Sequence, residues 1–155
     1  MNEMAIRRGE RNPGTITDAS RNAVLVVDDD ADARQILAFY VHSVGLRPIF
    51  ATEGVEALSV LNDGSAEICL ILLDLMMPGM SGFTVLARIR SEVTLRRIPV
   101  IVVTALGAES LNLLKQPGVV DVWQKGELTP ADAQVALRKY ATRDSLLDVS
   151  KQQGA

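Results

Sequence analysis

The chain has 155 residues, 48% of them hydrophobic and 23% charged, which is enough to bury one core and too little for two ordinary domains. Sixteen basic and 19 acidic residues leave a formal net charge of -3, so no overall field draws it to nucleic acid or to an anionic membrane. With one cysteine, Cys69, and one histidine, His42, neither a disulfide framework nor a Cys/His metal cluster can be built.

Residues 1–22 are polar, carry Arg7, Arg8 and Arg11, and include Asn12-Pro13-Gly14, which predicts a flexible N-terminal arm. The opening stretch has no apolar block of signal-peptide type, and the longest apolar run, Ile68 to Leu73, is far short of a bilayer span. A cytoplasmic protein without membrane insertion is expected. From residue 23 onward, strand-length apolar runs alternate with helical periodicity. Ala23 to Val27 precedes a helix over Asp32 to Val44; Arg47 to Ala51 precedes one over Val55 to Leu61; Ile68 to Leu73 precedes one over Phe83 to Ile89. Pro99 to Val103 precedes a weaker helix near Glu109 to Leu114, and Val119 to Trp123 precedes a helix that Thr129 caps, with Pro130 in its first turn and Asp132 near its positive end. Asp63-Gly64 reads as a turn. His42 falls inside the first helical pattern rather than at a strand end, which argues against a nucleophilic triad.

Five β-then-α units with strands apolar on both faces define a doubly wound α/β fold: a five-stranded parallel sheet covered by five helices. The domain is expected over residues 23–142. A short tail, 143–155, follows and is too small to be an output domain. In such a sheet every strand ends on one edge, and ligands bind on that edge near the topological switch point. The strands end in "VLVVDDDAD", "LILLDLMMPG", "VIVVTALG" and "VWQKGEL", so acids, a further acid, a hydroxyl and an amine converge there. Acids after a strand are usually caps or solvated loop; four complementary groups at four strand ends are not. Asp30 is assigned a bland role, capping the first helix or lying solvated, and Gly82 is assigned to backbone geometry.

Crowded carboxylates repel one another and resist ionisation unless a cation is present. Oxygen donors without His or Cys suit Mg²⁺, with Mn²⁺ as an alternative, better than a fully caged Ca²⁺. Asp28 and Asp29 are paired as metal ligands are, and Asp74 stands alone at the end of the central strand as a nucleophile for a phosphoryl group. Lys125 adds a point charge and Thr104 a hydroxyl donor for the phosphoryl oxygens. The Met-Met-Pro-Gly turn after Asp74 is expected to expose methionines and offers the Met76 carbonyl as a further oxygen ligand.

The "VVDD" ending the first strand, "LLDLMMPGMSG" around Asp74, "PVIVVTA" ending at Thr104-Ala105, and Lys125 together resemble the receiver domain of two-component response regulators over about residues 23–142. The resemblance implies a flavodoxin-like strand order 2-1-3-4-5, Asp74 as phosphoacceptor, Asp28, Asp29, Asp74 and the Met76 carbonyl at Mg²⁺, and Thr104 and Lys125 as contacts of the bound phosphoryl group. It further implies a histidine kinase or a histidine phosphotransfer protein as donor. A downstream protein would then be engaged through the fourth helix, fifth strand and fifth helix, with no metabolite turned over.

Three positions depart from the family pattern. Gly126 follows Lys125 where proline is usual, which puts a cis peptide bond there in doubt. Val122 takes the place of the switching aromatic, with Trp123 one residue later. Met76 and Leu106, two residues past Asp74 and Thr104, cannot orient a hydrolytic water, so a long-lived aspartyl phosphate is expected. Two other functions compete: a degenerate receiver acting as a phosphorylation-independent binding module, and a haloacid-dehalogenase-type phosphatase using Asp28 and Asp30. The second lacks an acidic pair after Lys125 and leaves Asp74 idle. The fifth helix offers Ala133, Ala136, Leu137 and Tyr140 as a stripe for a homodimer, but the core alone can consume it. Few aromatics and no basic stripe give direct nucleic-acid binding little support.

Overall fold

The computed structural model describes residues 21–141. The tail expected over 143–155 lies outside them, as does the arm expected over 1–22 except for Arg21 and Asn22. In chain order the elements are β1 (Ala23–Val27), α1 (Ala31–Ser43), β2 (Arg47–Ala51), α2 (Gly54–Gly64), β3 (Ile68–Asp74), α3 (Gly82–Ser91), β4 (Val100–Thr104), a 3-10 run (Ala108–Lys115), β5 (Val119–Gln124) and α4 (Pro130–Tyr140), with one short 3-10 turn at Ser65–Glu67. The five strands are all parallel, as the apolar runs predict, in the order β2-β1-β3-β4-β5 that the resemblance implies.

Every residue of β1, β3 and β4 is buried, and their alternation divides the core into two layers. Leu25, Val27, Ile71, Leu73 and Val102 point to one face, where Ala57 and Leu61 of α2 and Val85, Leu86 and Ile89 of α3 cover them. Val24, Val26, Leu70, Leu72 and Val103 point to the other, under Leu37, Tyr40 and Val41 of α1 and Ala133, Ala136 and Leu137 of α4. Fully burying one such aliphatic side chain contributes about 1.5–3 kcal/mol, so the three central strands carry the sheet. Edge strand β2, with Arg47 and Phe50 exposed, adds less. The α4 stripe of Ala133, Ala136 and Leu137 is buried in this second layer, with Tyr140 packed half-buried against it.

Three of the four α-helices of the described residues start at a side-chain cap. The Asp30 carboxylate accepts from the Asp32 amide at 3.0 Å, Ser81 caps α3 through the Thr84 amide, and Thr129 caps α4 through the Asp132 amide with Pro130 at its first position.

Three local expectations change. Asp63 and Gly64 form the last turn of α2 rather than a separate turn. The fourth crossover is 3-10 rather than α-helical; with a short segment returning to the start of β5, a rise of about 2.0 Å per residue reaches further than the α-helix's roughly 1.5 Å. Of the methionines after Asp74, Met76 is exposed, but Met77 is buried and Met80 packs half-buried against the α2/α3 layer: the turn folds back onto the core. No helix of the described residues is long and apolar enough to cross a membrane. Cys69 is buried with its thiol donating to the Ala23 carbonyl at 3.3 Å, and burial pushes that thiol's pKa up to about 11, which makes it inert. His42 is exposed on α1.

Candidate phosphoacceptor and metal site

The strand order reverses between β1 and β3, and the predicted residues gather at the C-terminal ends of those two strands. Asp28 follows β1 directly, Asp74 closes β3, Thr104 closes β4, and Lys125 follows β5. One carboxylate oxygen each from Asp28, Asp29 and Asp74 lies within 4.8 Å of the others, and Asp29 alone of the three is exposed. The Lys125 ammonium lies 2.8 Å from Asp28 Oδ2 and 3.4 Å from Asp74 Oδ2. It thus bridges two acids that are 0% and 2% exposed.

The backbone fixes each of these groups. Asp28 Oδ1 accepts from the Asp30 amide at 3.0 Å and the Asp28 amide donates to the Ala51 carbonyl at 3.1 Å, which ties the acidic loop to β2. Asp74 Oδ1 accepts from the Met76 amide at 3.1 Å. Thr104 Oγ1 accepts from the Leu106 amide at 3.1 Å, and the Thr104 carbonyl accepts from the Lys125 amide at 2.7 Å. Thr104 is fully buried and stands one residue beyond Val103, the register partner of Asp74, so its hydroxyl borders the site from the neighbouring strand. Met76 enters through its amide; the carbonyl's role as a ligand is a proposal taken up below.

Burial pushes the Asp74 carboxyl above the ordinary carboxylate range; the Met76 amide opposes this, Asp28 adds to it, and Lys125 opposes it. Burial works against the Lys125 ammonium, yet Asp28 and Asp74 outweigh it and hold its pKa above that of an ordinary lysine. The site therefore carries more negative charge than its single lysine neutralises. Asp28 Oδ2 is buried and, although Lys125 lies close, accepts no aligned hydrogen bond. An under-satisfied buried carboxylate oxygen beside two further carboxylates, with no nitrogen or sulfur donor among them, fits a hard divalent ion such as Mg²⁺.

Two contributors were not singled out as site residues in the sequence. Arg34, one turn into α1, donates from Nη1 to the Asp28 carbonyl at 2.8 Å; an arginine at that spacing after an acidic loop is the only signal for it. Gly82 is required for space: a Cβ there would sit 2.1 Å from the Asp74 carbonyl oxygen and 2.6 Å from Leu75 Cα, while its amide donates to the Leu75 carbonyl at 3.0 Å. Its assignment to backbone geometry holds, but that geometry is the support of Asp74 itself. Asp30 spends its carboxylate on the α1 cap, away from the acid/base role a haloacid-dehalogenase-type phosphatase would need. Val122 packs in the layer on the α2/α3 side of the sheet and Trp123 in the opposite one, its Nε1 donating to Asp121 Oδ2 at 3.1 Å. No aromatic therefore stands at the switching position on the Thr104 side.

A parallel sheet in this order with three acids, a threonine and a lysine at one edge defines a class of doubly wound α/β domain with an acidic strand-edge site. Comparison with known proteins gives the class its name: the profile of the response regulator receiver domain matches residues 24–139, and the chain belongs to that family. Among curated relatives, the phosphate regulon transcriptional regulatory protein PhoB of Escherichia coli K12 is 37% identical over 86 residues, covering 56% of this chain and 37% of its own. Response regulator RR06 of Streptococcus pneumoniae is 37% identical over 116 residues, covering 75% of this chain and 49% of its own. The chain thus spans about a third to a half of the length of such relatives. Among solved structures, a response regulator receiver protein from Pseudomonas putida is 30% identical with a TM-score of 0.68, over 77% of this chain and 97% of that one. The response regulator TrrA from Thermotoga maritima, solved in complex with Mg²⁺-BeF, is 26% identical with a TM-score of 0.66, over 77% and 98%. Receiver domains are signalling regulators of two-component systems that work with histidine kinases and bind Mg²⁺ at an acidic pocket.

Proposed function

We propose that the chain is a phosphorylation-dependent switch that accepts a phosphoryl group onto Asp74 from a phosphohistidine on a histidine kinase or phosphotransfer protein. The observation that carries this reading is the bridging of two buried acids, Asp28 and Asp74, by Lys125 at 2.8 and 3.4 Å beside exposed Asp29. A carboxylate oxygen of Asp74 attacks phosphorus, the P–N bond to the donor imidazole breaks, and the released nitrogen keeps the electron pair. Asp28, Asp29 and the Met76 carbonyl would hold Mg²⁺, whose charge screens the carboxylates from the incoming anion. Mn²⁺ has the same donor preference. The Met76 amide orients the Asp74 carboxylate, Lys125 moves its charge from the carboxylates to the transferred phosphoryl oxygens, and the Thr104 hydroxyl donates to another of them.

Output follows from that last pair. Drawing Thr104 and Lys125 toward a phosphoryl group pulls on the ends of β4 and β5, which the Lys125 amide already links to the Thr104 carbonyl. The change passes to the surface formed by the 3-10 run, β5 and α4, where Leu111 and Leu114 are half exposed, and biases binding of a protein target. Without an aromatic at position 122, this coupling runs through backbone and loop rather than a ring swing. The domain boundaries, 23–142, and a cytoplasmic setting belong to the same proposal.

Beryllium fluoride with Mg²⁺ is a stable mimic of an acyl phosphate and tests the site without a donor. A thermal melt should show a rise in Tm for the native chain that requires both reagents and is absent in Asp74→Ala. No shift in the native chain, or an equal shift in the variant, would refute the assignment.

A further inference from the structure

The loop that carries Lys125 departs from simple strand continuation. The Glu127 amide donates to the Gln124 carbonyl at 3.1 Å, which closes a four-residue turn over Gln124-Lys125-Gly126-Glu127. Gly126 has φ of +88°, and no residue other than glycine has a positive φ among the described residues. A positive φ at the third position with a negative one at the second is a type II turn, in which the third residue is normally glycine because an L side chain there meets the backbone. All peptide bonds in the described residues are trans. A Cβ built on Gly126 would meet nothing within 4 Å, so packing makes no demand for glycine; the backbone angle alone does. Lys125 occupies the second position, its amide tied to the Thr104 carbonyl at 2.7 Å.

On the reading of the site as a phosphoacceptor centre, we infer that Gly126 is a positioning residue for Lys125: its left-handed backbone closes the type II turn that aims the ammonium between Asp28 and Asp74. The hydrogen bond to β4 fixes where Lys125 begins, and the turn fixes the direction in which it leaves. Proline cannot adopt this angle, so the usual family residue at this position would abolish the turn rather than rigidify it.

The test compares native chain, Gly126→Ala and Gly126→Asn. Both side chains find open space, but asparagine tolerates the left-handed region far better than alanine. The first readout is the rate of reductive methylation of Lys125 relative to exposed Lys115, by peptide mass spectrometry; it needs neither metal nor phosphoryl donor. An ammonium held between two carboxylates reacts slowly. The expected result is that Gly126→Ala raises the Lys125-to-Lys115 ratio by about fivefold, the order of the left-handed penalty, while Gly126→Asn stays near the native value. The second readout is the rate of phosphoryl uptake from acetyl phosphate at saturating Mg²⁺, which should fall in Gly126→Ala and recover in Gly126→Asn.

An unchanged ratio in Gly126→Ala, or an equal change in both variants, overturns the inference, since the backbone angle would then not be what places the lysine. If the native chain takes up no phosphoryl group while the methylation order holds, the proposed function falls and the positioning role stands. Because Lys115 is exposed already, unfolding alone would also raise the ratio, so far-UV circular dichroism and the urea midpoint are measured on each variant, and a rise in Gly126→Ala that comes only with loss of the folded signal overturns the inference.

Discussion

Replacing Lys125 by methionine isolates the electrostatic logic of the site. The side chain keeps its unbranched shape, one atom shorter, and loses its charge, leaving Asp28 and Asp74, 0% and 2% exposed, without the cation that lies 2.8 and 3.4 Å from them. Removing one partner of a buried ion pair costs about 3–5 kcal/mol. Lys125's own side chain is 29% exposed, so water takes over part of its role and the lower end, about 3 kcal/mol, is expected in metal-free buffer. A divalent ion at the same carboxylates substitutes for the lost charge. With Mg²⁺ in excess the deficit should shrink toward that of an exposed pair, about 1 kcal/mol or less, and the variant should bind Mg²⁺ more tightly than the native chain because its competitor is gone. Urea unfolding with EDTA and with saturating Mg²⁺ measures both. Equal losses in the two conditions, or no loss without metal, would refute the argument that Lys125 neutralises the acids in place of an ion.

Gly82→Ala forces a Cβ to within 2.1 Å of the Asp74 carbonyl oxygen, where backbone rather than a flexible side chain must yield; urea unfolding should show a loss of about 2 kcal/mol or more, with Mg²⁺ binding weakened in calorimetry. The raised pKa of Asp74 means that the metal-free fold favours its protonated form. That contribution is complete below the ordinary carboxylate value and is lost as pH climbs from there through the folded value, so metal-free Asp74→Asn should be more stable than the native chain at neutral pH and lose that advantage in acid. Met76 and Leu106 offer no polar group to a hydrolytic water. Met76→Asn or Leu106→Glu should therefore speed loss of the phosphoryl group from Asp74, followed by intact mass over time, and slower decay in either would contradict this reading.

The strands were legible because β1, β3 and β4 are buried on both faces and must be continuous aliphatic runs; their order followed only from the resemblance to receiver domains. The acids at their ends stood out against those runs, and the structure brings Asp28, Asp29, Asp74 and Lys125 together as their strand-end positions require. Asp30 was assigned correctly as a cap because a helix N-terminus needs an acceptor at that spacing. What stayed hidden depends on tertiary geometry. The buried side of the methionine turn depends on where Met77 and Met80 meet α2 and α3, and the 3-10 form of the fourth crossover depends on the distance it must span. The reach of Arg34 to the Asp28 carbonyl is a rotamer, not a pattern. Gly126 was visible as a departure, but a positive φ cannot be read from a glycine's presence, since glycine permits either sign.

Mg²⁺-dependent phosphorylation of Asp74 is read out by intact mass after incubation with acetyl phosphate and Mg²⁺, with Asp74→Ala and an EDTA control alongside. The expected result is a single phosphoryl increment on the native chain that EDTA prevents and Asp74→Ala abolishes. An increment that survives either control, or none on the native chain, would contradict it and turn the assignment toward a phosphorylation-independent binding module.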